Sequence, residues 1–362
     1  MTFDYPGRID RLQGLMREEG VDATLISAGA DLLYLTGYEV SPSERITVLV
    51  LLRDSDPVLF VPELEGPRIS TRDVEIAAWA ETDDPVQRAS RLAASPRLVA
   101  VGDHMRSSFL IEFQKQWTAT DWMPASHLLS RLRVRKDRTE IEELRRAARG
   151  VDLIMGRIPE EVAFAGRTEA DVARDLGELT LEVGHDSAEF TIVASGPNGA
   201  SPHHEPTDRV IEEGDLVVCD FGGRWDGYFS DSTRTFVVGE PSVAAAEVHE
   251  LVVEANQAGR DSVAPGVPCE EVDRAARQVI VDGGYGEYFI HRTGHGIGLE
   301  VHEHPYIVQG NSTPLEEGMA FSIEPGVYVP GRLGVRIEDI VVCVDDGVDA
   351  LNDSRRSLTS VA

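Results

Sequence analysis

The chain has 362 residues, 42% of them hydrophobic and 27% charged, a composition suited to an ordinary folded protein with room for two cores. Its 34 lysines and arginines face 63 aspartates and glutamates, and the net charge of −29 argues against nucleic acid and anionic lipid as partners. No run of about eighteen apolar residues is present to span a membrane, and the three scattered cysteines (Cys219, Cys269, Cys343) argue for a reducing cytoplasm and against disulfides or a zinc–cysteine site.

The opening MTFDYPGRIDRLQGLMREEG is charged and amphipathic, without the apolar segment and cleavage site of a secretory signal. Ile9, Leu12 and Leu15/Met16 fall at helical spacing, and Gly20 is a stop signal. VDATLISA, ITVLVLL and PVLFVP are short β-rich runs, the last two separated by the turn-like RDSD, and RLVAVG is a further buried strand. Residues 1–130 are therefore expected to form a small α/β domain. In LSRLRVRKDRTEIEELRRAARGVDLIM a basic stretch leads into a long amphipathic helix, with Thr139 and Glu142 at capping-box spacing. Residues 131–362 then repeat a coarse pattern. Helices near 140–156 and 168–184 (with Thr168 and Asp171 as a second capping pair) precede strands FTIVAS, DLVVCDFG and TRTFVV. Helices near 242–260 and 269–282 precede strands near 287–291, 319–325 and 336–344. Helix pair and then sheet, twice over, predicts one α+β domain of two similar halves with a cleft between them.

Charged side chains fall where this second region should be core. In LVVCDFGGRWDGYFSDSTRT, Asp220 ends an apolar run and Asp231 follows eleven positions later, a spacing that suits two strands joined by a turn at GGRWDG, with Asp226 a turn residue only. His295 lies in HRTGHGIGLE, Glu324 ends MAFSIEP, and Glu338 sits in GVRIED. Each has an ordinary explanation alone: a turn aspartate, a loop histidine, a strand-end glutamate, a partner for Arg332 or Arg336. Together they are costly to bury unpaired. Four carboxylates and one imidazole instead suit two divalent metals of hard to borderline character, such as manganese or cobalt. Such a pair acidifies a water held between the ions and polarises a carbonyl.

The contexts VVCDFGG, YFSDSTRT, GHGIGLEVHE, FSIEPGVY and GVRIED, in that order, closely resemble the pita-bread metallopeptidases (family M24) across roughly residues 130–350. That group holds Xaa-Pro dipeptidases (prolidases), aminopeptidase P, methionine aminopeptidases and the metal-free creatinases. GVDATLISAGADLLYLTGY resembles the creatinase/prolidase N-terminal domain. The resemblance implies a pita-bread catalytic domain with a pseudo-twofold repeat behind a smaller N-terminal α/β domain, which supports a homodimer and narrows the active-site mouth. It implies that Asp220 chelates one metal, that Asp231 and Glu338 bridge both, and that His295 and Glu324 complete the second. Manganese is the expected ion, with cobalt or zinc as alternatives, and the nucleophile is the hydroxide between them. Glu324 would also take the attacking water's proton, and Thr233 would support Asp231. His203 in SGPNGASPHHEPTDR and His302 in EVHEHP match the family's two catalytic histidines; His204 occupies a variable position. His291 would line the proline-side pocket, and Arg336 would orient Glu338 or the substrate.

Hydrolysis of the bond between an N-terminal residue and proline is the expected activity, which general proteases perform poorly because proline lacks an N–H and fixes φ. A cytoplasmic dipeptidase is expected first. Many prolidases carry an arginine after the HExP element to grip the dipeptide's carboxylate, whereas HEHPYIV has Tyr306 there. That departure leaves open an aminopeptidase P acting on longer peptides. A creatinase-like C–N hydrolase is disfavoured because all five ligand positions are filled, and a non-catalytic binding module on this fold would be expected to have lost some of them.

Overall fold

In the computed structural model, which describes residues 3–69 and 74–362, the first helix is α1, Tyr5–Glu19. Asp4 caps it by accepting from the Gly7 N–H, and Gly20 ends it in the left-handed conformation at φ 71°. Ile9, Leu12 and Met16 bury its inner face, as their spacing predicts. A six-stranded sheet follows. Its strands are β1 (Ala23–Ser27), β2 (Val48–Leu52), β3 (Val58–Pro62), β4 (Glu75–Trp79), β5 (Leu98–Val101) and β6 (Asp121–Pro124), in the order β4-β3-β2-β1-β5-β6. β2 and β3 pair antiparallel across the RDSD turn. β4 and β6 escaped the sequence because they are short edge strands with exposed Glu75 and Asp121. Helices α2 (Ala30–Thr36), α3 (Pro85–Ser90), α4 (Ser107–Gln116) and α5 (Ser126–Arg133) complete this unit. Leu25, Val50, Phe60, Val99 and Phe113 lie in its core. The chain divides after Arg133; the expected boundary at 130 falls inside α5 instead.

The second unit begins with α6 (Arg138–Glu161) and α7 (Glu169–Glu182). The cap of α6 is Asp137, not Thr139: its side chain accepts from the N–H groups of Thr139 and Glu140, while the Glu140 carboxylate accepts from the Asp137 N–H at 2.9 Å. The capping box is thus present but displaced by two residues, because the helix starts as soon as Asp137 can close it. Asp137→Ala is expected to cost about 1 kcal/mol of stability, read as a lowered denaturation midpoint at unchanged m-value. Thr168 caps α7 through the Asp171 N–H at 3.1 Å, as the spacing indicates.

Strands β7 (Ser187–Ser195), β8 (Leu216–Trp225), β9 (Tyr228–Phe229) and β10 (Ser232–Val238) follow. The pattern then recurs with α8 (Val243–Asp261) and α9 (Cys269–Asp282). The remaining strands are β11 (Gly294–Gly296), β12 (Glu303–Ile307), β13 (Ala320–Ile323), β14 (Gly326–Val329), β15 (Leu333–Arg336), β16 (Asp339–Val344), β17 (Gly347–Ala350) and β18 (Thr359–Val361). One sheet runs β18-β10-β8-β7 and the other β12-β11-β13-β16-β17, with β14 and β15 as a separate hairpin. Val151, Phe164, Val217 and Phe221 pack one core, and Val252, Ile280, Val327 and Val335 another.

The strand expected near 287–291 is absent. A 3-10 turn at Gly286–Tyr288 leads into irregular chain, and Ile290 is 64% exposed. The guanidinium of Arg277 takes the carbonyls of Phe289 and His291, so these groups bond to a side chain instead of a β ladder. Among the described residues no helix is long and apolar enough to cross a membrane.

Candidate active site

The hairpin holding the two aspartates is tighter than its sequence suggests. β8 runs on to Trp225, and the turn is the pair Asp226-Gly227 at φ 47° and 85°, not the six residues GGRWDG. Gly222 and Gly223 lie within β8, where an added Cβ would stand 2.0 Å from the Ser230 carbonyl oxygen and 2.7 Å from that of Ser187. These two glycines let the neighbouring chain close in on both sides. Thr233 of β10 is registered opposite Asp220, and both aspartates are buried, 8% and 5% exposed.

The other sheet brings His295 on β11, Glu324 immediately after β13, and Glu338 in the two-residue gap between β15 and β16. Glu324 and Glu338 do not extend a strand; each caps the end of one. All five face a cavity of about 900 Å³, together with His203, His291, Arg292, His302 and Arg336. Phe190, Ile192, Phe229 and Val301 supply apolar wall. Asp231, His295 and Glu338 each offer one ligand atom, all within 4.8 Å of one another. The Nε2 of His295 is 3.3 Å from Glu324 Oε1 and 3.5 Å from Asp231 Oδ2. Its Nδ1 lies 3.1 Å from the Gly296 carbonyl oxygen, which assigns the proton to Nδ1 and leaves the Nε2 lone pair facing the carboxylates.

Arg336 departs from its expected target. Its Nη2 donates to Asp220 Oδ2 at 2.5 Å, not to Glu338, and its Nε donates to Thr233 Oγ1 at 3.0 Å. Thr233 in turn donates to Glu338 Oε2 at 2.7 Å, so it supports Glu338 and not the expected Asp231. The register explains both: Thr233 sits opposite Asp220 and its own carbonyl accepts the Glu338 N–H. Three polar residues of the site were not anticipated. Tyr328 on β14 accepts from Arg336 Nη1 and lies 2.9 Å from His291 Nε2. Ser322 accepts the His295 N–H and donates to Glu324. Arg292 lies over the Tyr306 ring, 4.4 Å from its centroid. A tyrosine or serine within an apolar strand carries no sequence signal beyond core packing.

Electrostatics single this cluster out. Burial, and then the charges of Glu338, Asp220 and Glu324, push the Asp231 carboxyl well above the usual range. Burial and then Glu324 and Asp220 do the same to Glu338, and burial lifts Glu324 to about 7. Burial, with His302 next, lowers His295 to about 3, so its imidazole is neutral. Four carboxylates against two guanidinium groups, Arg336 among them and Arg292 on the cavity wall, are under-compensated. The hydrogen bonding is also incomplete in a specific way. Asp220 and Glu338 each have one oxygen held by a side chain, while Asp220 Oδ1 and Glu338 Oε1 are buried without a partner among the described residues. Neutral imidazole, crowded carboxylates and orphaned oxygens together fit divalent cations at this place.

Residues 142–345 match the model of metallopeptidase family M24, and residues 8–135 that of the creatinase/prolidase N-terminal domain. The chain belongs to metallopeptidase family M24, whose peptidases use divalent metal ions, and carries that N-terminal domain ahead of its pita-bread unit. It is 42% identical to the probable dipeptidase PepE of Mycobacterium tuberculosis, over 99% of this chain and 96% of that one. It is 36% identical to the Xaa-Pro dipeptidase of Lactobacillus delbrueckii subsp. lactis, over 97% and 98% of the two chains. The crystal structure of prolidase from Thermococcus sibiricus superposes with a TM-score of 0.95 at 37% identity, covering both chains completely.

Proposed function

We propose that this chain hydrolyses the bond between an N-terminal residue and proline, with dipeptides as its preferred substrates. The observation that carries this conclusion is the pair of buried carboxylate oxygens, Asp220 Oδ1 and Glu338 Oε1, left open in an over-charged cavity of a chain so similar to dipeptidases. Asp220, Asp231, His295, Glu324 and Glu338 would hold two divalent ions. Manganese suits four carboxylates and one imidazole, with cobalt or zinc as alternatives, and such ions acidify a water and polarise the scissile carbonyl. Glu324 accepts the proton of the attacking water and delivers it to the departing proline nitrogen. His203 and His302 donate hydrogen bonds to the carbonyl oxygen as it gains negative charge. His291, braced by Tyr328, walls the proline side, and Arg336 orients Asp220.

A dipeptide ends in a carboxylate one residue beyond the bond that breaks, so its pocket needs a cation there. Arg292 supplies one: it lines the cavity and stacks on Tyr306, and its guanidinium makes no hydrogen bond or salt bridge among the described residues. Aminopeptidase action on longer peptides is the alternative, favoured by Tyr306 standing where an arginine would close off the substrate's end. Assaying Ala-Pro, Ala-Pro-Ala and Ala-Ala with manganese separates them. Cleavage of Ala-Pro alone is expected, equal cleavage of Ala-Pro-Ala would favour the aminopeptidase, and cleavage of Ala-Ala would remove the proline requirement. Arg292→Met is expected to raise KM for Ala-Pro by about tenfold or more while leaving Ala-Pro-amide unaffected. A cytoplasmic homodimer is the assembly we infer, and a monomer mass by light scattering would contradict it.

A further inference from the structure

His203 faces the cavity, yet its ring makes no hydrogen bond among the described residues. Its position therefore rests on the path of the backbone that carries it, and that path is tied to one buried carboxylate. Glu169, the first residue of α7, is fully buried. Its Oε1 accepts from Ser195 N (2.8 Å), Ser195 Oγ (2.7 Å) and Asn198 Nδ2 (3.0 Å). Its Oε2 accepts from Thr207 N (3.1 Å) and Thr207 Oγ1 (2.7 Å), and His204 Nε2 lies 2.8 Å away. Both ends of the segment 195–207 and the residue next to His203 thus converge on a single side chain. Burial would raise that carboxyl, but the donors hold it at about 2, so it stays ionised.

Between these anchors the segment is pressed against β15. A Cβ at Gly199 would stand 2.9 Å from the Gly334 nitrogen, and one at Gly334 would stand 1.7 Å from the Gly199 oxygen. At the crest, the Pro202 carbonyl accepts from Arg336 Nη1 at 3.3 Å, and Arg336 also holds Asp220. The second half of the unit repeats the device. Asp273, buried on α9, accepts from Thr293 N (3.1 Å) and Thr293 Oγ1 (2.8 Å). It also pairs with Arg277, which donates to the His291 carbonyl at 2.7 Å. In each half a buried carboxylate on the second helix ties down the loop that brings a histidine to the cavity.

We propose that Glu169 is a positioning residue for His203: it does not touch substrate, but fixes the 195–207 backbone so that the His203 imidazole meets the reacting carbonyl, as Asp273 does for His291. The catalytic part of this rests on the hydrolysis proposed above. The test is a double-mutant cycle of Glu169→Gln with His203→Ala, run on the full chain loaded with manganese. Glu169→Gln should lower kcat for Ala-Pro about 10- to 100-fold with KM little changed, and should cost almost nothing further in the His203→Ala background. Independent, multiplying losses would overturn the proposal, as would unchanged kcat in Glu169→Gln. If Glu169→Gln does not fold, Thr207→Val, which removes one donor to Oε2, takes its place in the cycle with the same outcomes. A second measurement does not depend on activity. Trypsin should nick Glu169→Gln after Arg209 at least several-fold faster than wild type, and equal rates would refute the anchoring. A wild type that leaves Ala-Pro intact would reject the hydrolysis, while the trypsin comparison would still decide whether Glu169 ties the loop.

Discussion

Asp231→Ala is expected to lose at least about three orders of magnitude in turnover of Ala-Pro, ~4 kcal/mol of transition-state stabilisation, while remaining folded. Asp231 offers a ligand atom within 4.8 Å of those of His295 and Glu338, so deleting its carboxylate takes one of the three donors out of that cluster. Elemental analysis of the variant equilibrated with manganese should fall from two ions per chain towards one or none. The same substitution relieves repulsion, because Asp231 is a buried carboxylate among Glu338, Asp220 and Glu324. Metal-free Asp231→Ala should therefore melt at or above metal-free wild type at pH 8. Full activity in the variant would reject the assignment of Asp231. A sharply lowered metal-free melting temperature would show that its role is packing.

The metal-free protein should lose stability as pH rises from about 6.5 to 8, and manganese should remove that dependence. Glu324 is raised from 4.5 to about 7, and Asp231 and Glu338 are raised as well. The folded chain thus keeps protons that the unfolded chain has already released, so the stabilisation is complete below the unfolded values and is lost as pH climbs through the folded ones. For Glu324 alone the full effect, on the order of 3 kcal/mol, is spread from 4.5 to about 7. On the order of 1 kcal/mol of it falls above about 6.5, and Asp231 and Glu338, raised well above their ordinary values, supply the rest. His291 and His295, lowered to about 4 and about 3, act in the opposite direction, but only where the unfolded histidines still protonate, below about 6.5. Above that point the carboxylates act alone, and the melting temperature should drop by several degrees. Binding at a hundred times Kd adds about 2.7 kcal/mol, and it holds the carboxylates ionised, so the loaded protein should show a flat profile. A metal-free profile that is flat or rises over this range would mean that the carboxylates are not crowded as the cavity indicates.

Much of the site was legible because its chemistry violates its surroundings. Asp220 after LVVC, Glu324 after FSI and Glu338 within VRIED interrupt apolar runs, and ionisable groups there need a compensating partner. The partners themselves were not legible. Arg336 is two residues from Glu338, which suggests a local pair, yet its guanidinium spans to Asp220, 116 residues away in sequence. Thr233 is two residues from Asp231 and serves Glu338 instead. Glu169 looks like an ordinary acidic residue at a helix start, and only folding surrounds it with Ser195, Asn198, His204 and Thr207. The same limit applied to local structure. Thr139 and Asp137 both satisfy cap chemistry, and choosing between them required knowing where helical hydrogen bonding begins. The run EYFI reads as a strand, yet Arg277 takes the Phe289 carbonyl and, just beyond it, that of His291, so no ladder forms there.

What the sequence determined by itself is the inventory: two units, helix pairs alternating with sheets, and four carboxylates and one histidine set in or beside apolar runs. These follow from periodicity, turn residues and the cost of burying charge, all of which act within a few residues. The tertiary structure alone decided which oxygens are spoken for and which are left open, where Arg336 and Thr233 point, and how the loops of His203 and His291 are tied down. Those choices depend on strand register and on contacts between residues about 100 positions apart, as between Thr233 and Glu338, and no local pattern encodes them.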